Sequence, residues 1–210
     1  MNLRAYHLGL DLGQRKDHSA IVVVEQRVEC TGVKDPISFE LGRVRKFVVV
    51  KVERIRLGTQ YSAVLERVAS LSRELENLTI SIDATGLGAV ASEFLYKKDY
   101  RGELYPVVIT GGQDGNYSDG FWMTPRAELL TGLIRAFEVE GLCVASDVKD
   151  WGLLEEELSG MRKVAGKSGP RFETEGKHDD LVFALALAMF GARQRRLPLD
   201  GESVRRRKAW

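Results

Sequence analysis

Apolar positions fall into short runs separated by polar turns. Their spacing shifts along the chain from the two-residue repeat of strands to the three- and four-residue repeat of helices. Tyr6 to Leu12 reads as a first strand and Ser19 to Glu25 as a second, and the polar turn at residues 13–18 between them predicts a hairpin. Arg43 to Arg56 reads as a third strand, with Phe47, Val49, Val52 and Ile55 among charged neighbours. It follows a loop at Thr31–Ser38 that holds Gly32, Asp35 and Pro36. Tyr61, Val64, Leu65, Val68, Leu71 and Leu75 stand at helical spacing and predict an amphipathic helix over Gln60–Glu76. Leu78–Asp83 is a fourth strand, Ala84–Gly88 a turn and Ala89–Lys98 a helix. Leu104–Ile109 is a fifth strand, expected to run parallel to the fourth because a helix connects them.

The second half is more helical. Gly111–Gly120, with four glycines and two aspartates, is expected to be a mobile loop. Thr124-Pro125 opens a helix, threonine as N-cap and proline at the first helical position, whose buried stripe is Leu129, Leu130, Leu133, Ile134 and Phe137. Leu142–Ala145 is a short extended piece, and Asp147 is the expected cap of a helix carrying Trp151, Leu154 and Leu158. Arg162–Thr174 is basic and glycine-rich, a hairpin or flexible loop, and a last helix runs from near His178 to about Arg195. Three strands, then helix, strand, helix, strand and further helices predict a mixed α/β sheet, antiparallel at first and parallel afterwards, flanked by helices.

Composition fits that picture. The chain has 210 residues, 44% hydrophobic and 29% charged, enough for one sizeable core. Two cysteines far apart, Cys30 and Cys143, fit a reduced intracellular setting and argue against a structural zinc site. The longest fully apolar run, Leu181–Phe190, is half of a membrane span, and the N-terminus lacks a signal-peptide layout, so a cytoplasmic protein with no membrane partner is expected. Net charge is only +1, but the last residues hold Arg193, Arg195, Arg196, Arg205, Arg206, Arg207 and Lys208 against Asp200 and Glu202. Such a tail can hold phosphates, and a solvated end is the competing reading. The expected organisation is a domain over residues 1–195 and a basic tail over 196–210.

Certain acids stand where folding alone does not ask for them. Asp11 and Asp83 each end an apolar strand, and Asp179-Asp180 precede the ten-residue apolar run of the last helix. Each has a structural explanation on its own, as a turn residue, a helix cap or a partner of the helix dipole. Taken together they suggest another. Carboxylates at the ends of buried strands lose solvation and repel, and a divalent cation with a taste for hard oxygen ligands, Mg²⁺ or Mn²⁺, relieves both effects. Two such ions roughly 3.5–4 Å apart hydrolyse phosphodiesters by activating water and steadying the leaving oxygen.

The residues that carry this pattern also carry a resemblance. Leu8-Gly9-Leu10-Asp11-Leu12-Gly13 with Asp17 and residues 19–24, then Ser81-Ile82-Asp83-Ala84-Thr85-Gly86-Leu87-Gly88, and last Lys177-His178-Asp179-Asp180 with the alanine-rich run to Ala188, resemble the nuclease domain of phage large terminases. These DNA-packaging enzymes belong to the ribonuclease H-like superfamily. Residues 125–129 and 154–158 also look like the family, and the likeness spans about residues 6 to 192. It implies a ribonuclease H-like fold and cleavage of double-stranded DNA with little sequence specificity. Asp11, Asp83 and Asp180 would be catalytic metal ligands and Asp179 a ligand or near neighbour, with Asp17 a further contributor. It also implies a 3′-hydroxyl and 5′-phosphate product, and partners such as an ATPase motor, a small terminase subunit and a portal. Complete large terminases begin with an ATPase domain, which is not expected here: Gly166-Lys167-Ser168 has Met161 where a phosphate-binding loop needs glycine.

Lys163, Lys167, Arg171 and Lys177 surround the Asp179-Asp180 pair in sequence and are candidate contacts to DNA phosphates, an ordinary charged loop being the alternative. His178 is expected to support the metal ligands from behind. The competing functions are a Holliday-junction resolvase or transposase-like nuclease of the same fold, a non-enzymatic DNA-binding module, an acidic-site phosphatase, and an actin-like or sugar-kinase-type ATP-binding domain. The last also opens with an Asp-x-Gly strand but needs a second domain that this length does not hold.

Overall fold

The computed structural model describes residues 3–13, 17–34, 36, 39, 41–86, 91, 95, 100–112, 114–166, 169–174 and 178–199, with the backbone alone at 163, 165, 166, 169–171, 173 and 174. Strands β1 (Arg4–Asp11), β2 (Ala20–Lys34), β3 (Leu41–Arg54), β4 (Leu78–Asp83), β5 (Glu103–Thr110), β6 (Asn116–Ser118), β7 (Phe121–Pro125) and β8 (Leu142–Val144) form one sheet in the order β6-β7-β5-β4-β1-β2-β3-β8. β1, β2 and β3 are successive antiparallel neighbours, whereas β4 pairs parallel with β1 and with β5. The mixed sheet read from the sequence is the sheet observed.

Helix α1 (Tyr61–Glu74) covers one face, where Leu8, Leu10, Ile21, Ile80, Ile82, Val64, Val68 and the helical Ala91 and Leu95 form a core. Of the helix expected over 89–98, only residues 91 and 95 lie within the described residues. Helices α2 (Arg126–Glu138), α3 (Trp151–Ser159) and α4 (Asp180–Gln194) share the other core, with Val22, Val24, Val49 and Leu129. A small separate hairpin joins β9 (Met161–Gly166) to β10 (Gly169–Thr174).

α4 decides the architecture. Every residue from Asp180 to Ala192 is buried, as a helix apolar on all sides requires. Each Leu, Val or Phe so buried contributes roughly 1.5–3 kcal/mol. The helix lies directly on the sheet because small residues face it. A Cβ on Gly9 would stand 1.8 Å from the Ala184 carbonyl oxygen, and one on Gly191 would stand 2.7 Å from Ser81 Oγ and 2.9 Å from Thr79 Oγ1. Gly9 thus meets the middle of the helix, at Ala184 and Ala188, and β4 meets it near its end. The first turn of α4 is therefore delivered to the carboxyl ends of β1 and β4.

Beneath this contact His7 is fully buried, its Nδ1 2.7 Å from Thr79 Oγ1. The Gln26 amide, oriented to satisfy its neighbours, donates to His7 Nε2 at 3.0 Å and to the Arg195 carbonyl, and accepts from the Leu197 N–H. Arg45 Nε also donates to the Leu197 carbonyl at 2.6 Å, so residues 195–197 lie docked on the sheet. Residues 200–210, with most of the basic tail, lie outside the described residues.

Several sequence expectations are corrected. The loop over 111–120 contains β6, which pairs with β7 as a hairpin on the sheet's edge, where Tyr117 packs on Trp122. β2 runs on to Lys34 and β3 begins at Leu41, so the first four residues of the loop expected at 31–38 belong to a strand. Thr124 is the buried fourth residue of β7 and not a cap; Pro125 occupies the N-cap position of α2, without a side-chain hydrogen bond. α3 is preceded not by Asp147 as cap but by Asp150 at φ 60°, a left-handed conformation that Asp tolerates better than most residues. α4 begins at Asp180, two residues after the expected start.

Candidate active site

Strand register places the first two acids. Leu10 pairs with Ile82 across the parallel β1–β4 ladder, so the next residues, Asp11 and Asp83, end neighbouring strands side by side, roughly 4.8 Å apart along the sheet. Side chains alternate between faces. Leu8, Leu10, Ile80 and Ile82 point into the α1 core, so Gly9, Ser81, Asp11 and Asp83 take the face on which α4 lies. Asp11 also pairs with Ala20, and Ala20 with Arg54. One row across four strands therefore reads Asp83, Asp11, Ala20, Arg54, all on the α4 face.

The first turn of α4 adds Asp180, which is buried at 7% exposure, and Asp179, which is half-buried. Neither caps the helix: no side-chain cap bond comes from Asp179. That service comes from Glu157 of α3, whose Oε2 accepts the Leu181 N–H at 2.9 Å and the Val182 N–H at 3.1 Å. Glu157 is itself buried and ion-paired with Arg54. Asp179 instead accepts from Arg126 at 2.7 Å, and the same guanidinium lies 4.2 Å over the Phe183 ring.

The acids feel one another. Asp11 is raised well above the ordinary carboxylate range, first by burial and then by the negative charges of Asp83, Asp180, Asp179 and Glu157. Asp180 is pushed up to about 6, by burial first and by Glu157, with His178 opposing. Asp83 is raised by burial, against the stabilising hydrogen bonds of Thr85, whose N–H donates to Oδ1 at 2.8 Å. His178 Nδ1 stands 3.7 Å from Asp180 Oδ2, and both atoms are buried with no hydrogen-bond partner among the described residues. The His178 ring meets His18 edge to face at 5.3 Å, and His18 Nδ1 lies 2.9 Å from the Ile55 carbonyl.

Asp11, Asp83, Asp179 and Asp180 thus gather at one end of the sheet. Asp17 is exposed, but its charge reaches Asp180. Among the described residues, no three His, Cys, Asp or Glu side chains are already drawn close enough to enclose a metal ion. The chemistry of the set nonetheless fits a hard divalent cation: oxygen donors only, mutually repelling, one of them a buried carboxylate oxygen without a donor. Lys163 and Arg171 lie on the β9–β10 hairpin, opposite Phe172 and Val164 respectively, while Lys167 and Lys177 lie outside the described residues. The residue missed in the sequence is Glu157, hidden in the run Glu155-Glu156-Glu157. Its spacing of three from Leu154 put it on the buried face of α3 and was the available signal.

No protein-family model and no curated protein sequence matches the chain. Solved structures do. The large terminase nuclease of thermophilic phage G20c with bound magnesium superposes with a TM-score of 0.56 at 22% identity, covering 89% of this chain and 81% of that one. The large terminase nuclease domain of Thermus phage P74-26 gives 0.55 at 21%, covering 88% and 78%. The nuclease domain of the bacteriophage SPP1 large terminase with bound Mn gives 0.51 at 14%, covering 89% and 85%. At these identities the likeness speaks for architecture: the chain has the ribonuclease H-like fold of the large terminase nuclease domains.

Proposed function

We propose that this chain is a divalent-metal-dependent endonuclease that cuts double-stranded DNA with little sequence specificity, in the service of viral genome packaging. The observation that carries the proposal is the meeting of Asp11 and Asp83, on adjacent strand ends, with Asp180 on the helix laid across them. Similarity to nuclease domains solved with bound magnesium and Mn supports it.

In this reading Asp11, Asp83 and Asp180 hold a pair of Mg²⁺ or Mn²⁺ ions, Asp179 joins them when it leaves Arg126, and Asp17 lies at the rim. When bound, the ions supply ionised water at neutral pH and neutralise charge at the leaving oxygen, so no Ser, Cys or His nucleophile is required. The chain's own groups orient and exclude. His178 stands 3.7 Å from the Asp180 carboxylate as a supporting group, and α4 closes the apolar floor. Lys163, Lys167, Arg171 and Lys177 grip phosphates without reading bases, which makes cleavage fall with salt. We take residues 1–195 as the nuclease domain and 196–210 as a basic tail that adds phosphate contacts. A motor ATPase, a small terminase subunit and a portal are the partners this role requires, in the host cytoplasm. No described helix is long and apolar enough to cross a membrane.

The test is nicking of supercoiled plasmid with Mn²⁺, Mg²⁺ or chelator, by wild type and by Asp11→Asn. Cutting that needs the metal and Asp11 supports the proposal. No cutting with any divalent ion, or equal cutting by both proteins, removes it, and a strong preference for four-way junctions over linear duplex moves it to the resolvases.

A further inference from the structure

Asp179 and Asp180 sit on the first turn of a helix, a place where an acid ordinarily spends itself capping backbone N–H groups. Here the two N–H groups at Leu181 and Val182 are taken by Glu157, a buried carboxylate from a different helix. Glu157 is anchored in turn by Arg54. Arg54 belongs to the same cross-strand row as Asp11 and Asp83, separated from Asp11 only by the small, fully buried Ala20. The end of the sheet that carries two acids therefore also carries the cation that fixes the helix bearing the other two.

We infer that the Arg54–Glu157 pair is a positioning device for the metal centre: Glu157 caps α4 in place of Asp179 and Asp180, sets the height of its first turn over Asp11 and Asp83, and leaves the Asp180 carboxylate for a cation. The inference rests on the nuclease reading above. Glu157 acts through the α4 backbone, so it is not a metal ligand and not a catalytic residue. Its oxygens are already committed to two N–H donors and a guanidinium.

Three variants test this. Glu157→Ala removes the acceptor. Glu157→Gln keeps volume and one carbonyl acceptor but leaves Arg54 without its counter-charge. Arg54→Met with Glu157→Gln removes both charges and keeps the acceptor. The readouts are backbone amide exchange by NMR, Mn²⁺ affinity by calorimetry, and kcat and KM for plasmid nicking. In Glu157→Ala we expect faster exchange at Leu181 and Val182 while residues 185–189 stay protected, at least tenfold weaker Mn²⁺ binding, and a fall in kcat with KM for DNA unchanged. The double variant should regain most of that affinity and kcat, a rescue that a merely stabilising ion pair would not give. If Glu157→Ala proves unfolded, the same comparison is made between Glu157→Gln and the double variant. Folded Glu157→Ala with wild-type Mn²⁺ affinity and kcat overturns the inference, as does unchanged exchange at Leu181 and Val182 in that variant or, where it is unfolded, a double variant no better than Glu157→Gln. Failure of the nuclease reading shows separately, as a wild-type protein that neither binds Mn²⁺ nor nicks DNA. The exchange data then still decide whether Glu157 holds the turn.

Discussion

Asp11 and Asp83 are next-door residues on adjacent parallel strands, one step beyond the Leu10–Ile82 pair and on the same face of the sheet. The negative charges of Asp83 and, from α4, Asp180 add to burial in raising the proton affinity of Asp11. That arrangement works against the fold in the absence of a cation.

Asp83→Asn should separate activity from stability. The amide keeps an oxygen for the Thr85 N–H and removes one charge from the cluster. Metal-dependent nicking should fall more than about 100-fold, while the metal-free protein should gain roughly 1 kcal/mol at pH 8. Paired nicking assays and urea titrations in chelator check this. Loss of stability together with activity would mean that Asp83 is a structural residue.

The pH dependence of the metal-free protein has a definite sign. Asp180 binds its proton more tightly folded, at about 6, than at its ordinary value of 3.8. Its contribution is thus fully present below about pH 4 and is lost as pH rises through 6. Asp180→Asn should therefore gain stability relative to wild type as pH rises from 4 to 6, and hold a constant advantage above about 7. A difference that is flat in pH, or that shrinks with rising pH, contradicts the crowding of this carboxylate.

His7 works in the opposite direction. Burial, aided by the charge of Arg195, lowers it from 6.5 to about 4. The unfolded chain takes up a proton as pH falls through 6.5 and the folded one does not, so stability drains away between about 6.5 and 4, by a loss on the order of 3 kcal/mol. His7→Gln should flatten that part of the wild-type profile, at the cost of about 1–3 kcal/mol for disturbing Thr79 and Gln26. An unaltered slope would show that His7 is not the group responsible.

Gly9→Ala should be among the most damaging single-methyl additions in the chain. Its Cβ would meet the backbone of α4 at Ala184 and Ala188, which no rotamer change can relieve. About 3 kcal/mol or more of destabilisation is expected, with nicking lost as the first turn of α4 lifts from the strand ends. Chemical denaturation and plasmid nicking measure the two effects.

Much of this was legible in the chain because it rests on local pattern. β1 ends at Asp11 and β4 at Asp83 as the apolar runs indicated, and the unbroken apolar stretch after Asp180 could only be a buried helix. What escaped notice depends on partners distant in sequence. β6 is three residues in a glycine-rich stretch and is a strand only because β7 lies beside it. Thr124-Pro125 has the composition of a helix start, but pairing with β5 keeps both residues in the sheet. Glu157 looks like one of three solvated glutamates until Arg54 and the N-terminus of α4 are seen around it. The juxtaposition of Asp11 with Asp83 needed the parallel register, which spacing along the chain does not encode.

A crystal of the protein soaked in Mn²⁺ addresses the central claim most directly. The account predicts anomalous scattering from one or two ions bridged by the carboxylates of residues 11, 83 and 180, with those side chains rotated inward from their present positions. Metal found elsewhere, or an empty cluster in protein that cuts DNA in the same Mn²⁺ buffer, would contradict it.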